Sequence, residues 1–227
     1  MDIPMNFYQE LQLETTSGRN YLMSAPIIKD CLEGNFTVEH YVAFLIQAYH
    51  HVRHTTPLLM ATGARLSATK EWLREAVAEY IEEELGHQEW ILNDIDRCGF
   101  NKEKARSSMP NMATELMVAY AYDVINRVNP LGFFGMVQVL EGTSIKMADL
   151  VADKVQQKLN LPDQAFSYLR SHGKLDQEHI KFYEGLMNQI IHPEEQQLII
   201  HSANMFYHLY GNIFRSLEPE QANAIAA

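Results

Sequence analysis

The sequence predicts an all-α protein built as one domain. Two observations carry that prediction. Apolar residues recur at intervals of three and four over seven long stretches, the spacing of a helix's core face. No run of alternating apolar and β-branched residues marks a strand.

The elements follow in order. The first stretch covers roughly 6–32 and stops at Gly34-Asn35. The second covers 38–66, with Thr37 as its cap and Glu39 in its first turn. Pro57 lies inside it and should kink it. The third, 70–97, ends before Gly99. Asn129-Pro130 separates the fourth, 111–127, from the fifth, 131–158. Leu161-Pro162-Asp163 opens the sixth, 163–190. His192-Pro193-Glu194-Glu195 opens the seventh, 194–216, with proline at a first-turn position. The reading is a seven-helix bundle over 1–217, followed by a frayed tail over 218–227.

Bulk properties narrow the function. The chain has 227 residues, 47% of them hydrophobic, enough for one domain with a large core. The formal net charge of −11 argues against nucleic acid or an anionic membrane surface as partner. The longest basic grouping, Lys102, Lys104 and Arg106, is short and is assigned to a loop. No apolar run approaches the ~20 residues of a membrane span. The N-terminus carries no signal-peptide pattern. Cys31 and Cys98 are too few for a disulfide framework and read as packing residues at helix ends. A cytoplasmic, reduced protein is expected.

Ionisable residues interrupt three core faces. The sixth stretch carries the stripe Leu169, His172, Asp176, His179, Tyr183, Leu186, Ile190. In the third, the stripe through Tyr80 and Ile81 runs into Glu84 and His87, and then resumes at Ile91. Glu84 and His87 are an i, i+3 pair that can reach one point in space. Glu83 is the alternative carboxylate, four residues before His87. In the fifth, Glu141 is a lone carboxylate on a face of Phe134, Val137, Ile145 and Ala148. Gly132, Gly135 and Gly142 leave room for another helix or a ligand. Burying three carboxylates and three imidazoles costs free energy unless something pairs with them. Two divalent cations would nearly neutralise the set, and mixed nitrogen and oxygen donors suit iron or manganese. A polar catalytic pocket without metal is the other way to use them.

The segment EELGHQEW, the glutamate within VLEG, the His-x-x-x-Asp-x-x-His run and the seven-helix plan together resemble the haem-oxygenase-like di-iron oxidases and oxygenases. That group lies in a superfamily with thiaminase II and the cofactorless oxidase of pyrroloquinoline quinone synthesis. The resemblance implies a haem-oxygenase-like fold and a homodimer. It implies two irons, with Glu84, His87 and His179 on one and Glu141, His172 and Asp176 on the other. It also implies O₂ as co-substrate and oxidation of a small molecule such as a fatty acid or an amino acid. The competing reading on the same fold is a metal-free pocket enzyme. In it, His50, His51, Arg53 and His54 would line a pocket for an oxidase, or a cysteine would serve a thiaminase-like hydrolase. A non-catalytic binding or regulatory protein is the third reading. Tyr80 and Tyr183 each lie one turn from an expected ligand. Gln47 is the nearest polar residue that the second stretch offers. His201 and His208 read as surface.

Overall fold

The structure, a computed structural model, describes residues 5–226, leaving out the side chains of residues 146 and 172–178. The described residues form thirteen α-helices and no strand; eleven of them fall in the seven predicted stretches and two lie outside. The first stretch divides into α1 (Phe7–Glu14), α2 (Thr16–Met23) and α3 (Pro26–Glu33). Pro26 opens α3, and Gly34 ends it with φ of 76°. The second divides into α4 (Val38–Val52) and α5 (Thr55–Arg65). Pro57 stands in the first turn of α5, where its missing N–H costs nothing, so the expected kink is a complete break at Arg53-His54.

The third stretch also breaks, into α6 (Glu71–Glu84) and α7 (His87–Arg97). Leu85 leaves helical geometry and Gly86 takes φ of 90°, a region that a residue with a Cβ enters only under strain. The supposed basic loop is helix α8 (Lys102–Ser107), capped by the side chain of Asn101. Arg106 grips Glu89 with both guanidinium arms, so the cluster is partly neutralised.

Helix α9 (Met112–Asp123) ends in a π-turn before Pro130. Helix α10 (Phe133–Leu159) is the centre of the bundle. It packs along α11 (Ser167–Met187) and α12 (Pro193–Arg215). Gly135 makes the last contact possible. A Cβ there would stand 2.5 Å from the backbone nitrogen of Ala203 and 2.8 Å from the carbonyl carbon of Ser202. The Ser202 hydroxyl donates to the Gly132 carbonyl across the same interface, at 2.6 Å. Gly142, by contrast, meets only ordinary contacts.

The segment expected to be a tail packs against the bundle as far as Ile225. Helix α13 (Glu220–Asn223) docks with Ala222 and Ile225 buried against α4. The Ile225 carbonyl accepts from the Asn101 N–H at 2.9 Å. Gln47 explains part of this. Its Oε1 accepts from the Asn111 N–H and the Thr114 hydroxyl, and its amide reaches Gln221 at 3.4 Å. Gln47 therefore ties α4 to α9 and to the C-terminal segment.

Two apolar clusters make the core. One gathers α5, α6, α9 and α12 around Phe134, Tyr183 and Phe206. The other gathers α4 and α7 with the far half of α10 around Tyr41, Ala152 and Phe166.

Candidate functional site

Glu83 and Glu84 close α6, His87 opens α7, Glu141 sits in the first half of α10, and His179 sits in the second half of α11. His87 and His179 are almost fully buried, and Glu141 is 9% exposed. The Glu84–His87 pair forms as expected, with Oε2 3.1 Å from Nδ1. Its cause differs from the expectation. The two residues are not on one continuous helix; the turn at Gly86 folds the carboxylate back onto the first residue of α7.

His179 joins the other two carboxylates. Its Nε2 is 2.6 Å from Glu83 Oε2 and its Nδ1 is 3.6 Å from Glu141 Oε1. Glu83, the alternative in the sequence reading, is thus the residue that reaches α11, while Glu84 pairs with His87. His172 and Asp176 lie outside the described side chains. Among the described residues no group of three His, Cys, Asp or Glu side chains is arranged to hold a metal ion. The ring nitrogens of His179 face carboxylates on two different helices.

Aromatic rings fix these imidazoles. His87 stacks on Trp90 with ring centroids 4.0 Å apart. Tyr80 meets the edge of His179 at 5.6 Å. Tyr183 lies fully buried behind Glu141 and donates to the Phe134 carbonyl at 2.7 Å. Burial, with the Glu141 charge adding to it, holds its phenol well above the usual range.

Glu84 and Glu141 face one cavity of about 180 Å³. It exceeds the ~150 Å³ that admits a benzene ring in a dry core. Its wall is overwhelmingly apolar and includes no Lys or Arg among the described residues. On α10 the lining runs from Phe133 to Val155, about 33 Å along the helix axis at ~1.5 Å per residue. Glu141 stands between the two ends, so apolar wall extends on both sides of it. The cavity spans the seam between the two core clusters.

Two further sequence readings are settled by position. Of the histidine-rich run, only His51 lines the cavity, edge-on to Tyr210. His50 bonds Ser108 at 2.9 Å, His54 bonds Tyr122 at 3.1 Å, and Arg53 lies over the Tyr49 ring. Cys31, expected to be packing alone, does line the cavity. Burial pushes its thiol up to about 11, the opposite of an activated nucleophile.

A profile of the family described as iron-containing redox enzymes matches residues 42–211. The chain belongs to that family. The match spans every element that contributes Glu83, Glu84, His87, Glu141 and His179. No curated protein matches the sequence. Solved structures show the haem-oxygenase-like fold. A domain of unknown function from Shewanella denitrificans superposes with a TM-score of 0.86 at 23% identity, covering 96% of this chain and 94% of that one. A TenA homologue from Pseudomonas syringae pv. tomato gives 0.78 at 10% identity, over 95% and 93%. The haem complex of haem oxygenase-1 from Synechocystis gives 0.74 at 15% identity, over 97% and 96%. No helix among the described residues is long and apolar enough to cross a membrane.

The donor set fits iron. Carboxylate oxygen with imidazole nitrogen, and no thiolate, is the ligand mixture that such redox centres use. Each imidazole stands beside a carboxylate, the pairing that orients histidines in metal centres.

Proposed function

We propose that this member of the iron-containing redox enzymes is a non-haem di-iron oxidase or oxygenase that uses O₂ to oxidise an apolar-chain small molecule, fatty-acid-like rather than amino-acid-like. The observation that carries the reading is the meeting of Glu84 and Glu141 on one buried apolar cavity, each with an imidazole behind it. Glu84, His87 and His179 would hold one iron, and Glu141 with His172 and Asp176 the other, with Glu83 competing for His179. Bound iron supplies O₂ binding and one-electron redox chemistry.

The chain's own groups do the rest. The apolar wall excludes water and aligns an alkyl chain past the carboxylates. Tyr80 and Trp90 hold the rings of His179 and His87 against rotation. Tyr183 donates its proton to the Phe134 carbonyl and stays a neutral phenol behind Glu141.

A second reading has one observation in its favour. Cys31 faces the cavity, and TenA homologues share the fold. Its raised pKa weighs against thiol chemistry. Replacing Cys31 by Ser should leave iron content and turnover unchanged; abolished turnover with normal iron would favour the thiol. The main reading is tested by metal analysis after anaerobic loading. Glu141→Ala and His179→Ala should each lose at least about half the bound iron that a two-iron site implies. Wild-type occupancy in both variants would refute it.

A further inference from the structure

One helical turn beyond Glu141, on the same face of α10, Ser144 lines the cavity. Its hydroxyl is buried and has no hydrogen-bond partner among the described residues. A serine inside a helix ordinarily turns its hydroxyl to solvent or onto the carbonyl four residues back. Ser144 does neither. A buried hydroxyl left without a partner costs on the order of 1–3 kcal/mol, and such groups call for an explanation. Alanine would serve packing and helix propensity better at this position.

The neighbouring wall sharpens the point. Met147, Ala148 and Val151 continue the α10 lining beyond Ser144, and Leu140 and Val137 precede it. Thr143 also lines the wall, but the Ser144 hydroxyl is the one that is buried beside the carboxylates without a partner among the described residues. We infer that Ser144 is a specificity-determining residue that hydrogen-bonds a single small polar group on an otherwise apolar substrate, holding that group one turn from Glu141. The class is an alkyl chain bearing one alcohol, amine or carboxyl group. The assignment rests on the cavity being the substrate site proposed above.

An uncharged probe separates this from iron binding and from charge repulsion by the glutamates. Decanol is titrated calorimetrically into the metal-free protein and into Ser144→Ala, and both are melted without ligand. Ser144→Ala should bind decanol about five- to tenfold more weakly, the worth of one net hydrogen bond. Its unliganded melting temperature should equal or exceed that of the wild type. Equal decanol affinity, or no decanol binding by the wild type, overturns the inference. A clear drop in the unliganded melting temperature also overturns it, because the hydroxyl would then be structural. Iron uptake is measured on the same samples. Weakened decanol binding alongside a wild type that takes no iron upholds Ser144 and refutes only the iron site.

Discussion

Asp94 offers a test of what positions the site. It is fully buried on α7, yet it bonds the first residues of α11. One carboxylate oxygen accepts from the Ser167 N–H at 3.1 Å and from the Ser167 hydroxyl, and the other accepts from the Tyr168 N–H at 2.9 Å. A residue from one helix thus caps another. It fixes the start of the helix that carries His179 to the helix that begins with His87. Asp94→Ala leaves two helix-terminal N–H groups buried without acceptors, at about 1–3 kcal/mol each. A total near 3 kcal/mol follows, and for a chain of this size that lowers the melting temperature by roughly 6–12 °C. Far-UV circular dichroism on heating reads it. A loss under about 1 kcal/mol would refute the capping argument. Titration adds a signed check. Burial raises the Asp94 pKa above 3.8 despite the three hydrogen bonds. The folded protein therefore holds this proton more tightly than the unfolded chain. The stability Asp94 contributes is greatest below the ordinary carboxylate pKa and declines as pH rises to the folded value. The gap between wild type and Asp94→Asn should shrink over that window and stay flat above it.

Other expectations are simpler. Gly135→Ala forces a Cβ into the backbone of Ala203, so α10 and α12 must separate; a loss of at least about 1–3 kcal/mol should appear in denaturant unfolding. Tyr183→Phe should cost about 1 kcal/mol, the bond to the Phe134 carbonyl, on the same assay. Burial, with Arg53 and His54 adding to it, pushes His50 down to about 4. A lowered folded pKa means that stability is intact above the ordinary value of 6.5 and is lost as pH falls from there toward 4. His50→Gln should flatten the melting-temperature profile across that interval.

The sequence spacing carried the helices and pointed to most of the candidate site because burial imposes the 3–4 period on any residue facing the core. Glu84, His87, Glu141 and His179 stood out as ionisable members of apolar stripes, and the structure sets Glu84 beside His87 and Glu141 near His179. Periodicity could not locate the breaks. It continues in phase across Leu85-Gly86 and across Arg53-His54, so each pair of helices reads as one. Gly86 within EELGHQEW was the available signal, since a glycine after a helical run favours a left-handed stop. The docked C-terminus was hidden for another reason. Ala222 and Ile225 are single apolar residues in a polar stretch, and their burial depends on a surface of α4 that is distant in sequence. Gln47 looked like a failed ligand; its partners on α9 and in the C-terminal segment exist only in the fold. Ser144 left no trace in the pattern, because one small residue on a core face resembles any other until the cavity beside it is known.

The central claim is that these carboxylates and imidazoles form an O₂-activating di-iron site. Anaerobic titration of the metal-free protein with Fe(II), followed by rapid mixing with O₂ in a stopped-flow spectrometer, tests it most directly. The account predicts saturable uptake near two irons per chain and a transient visible band after mixing, both lost in His179→Ala. No saturable uptake, or wild type and His179→Ala behaving alike, would contradict it.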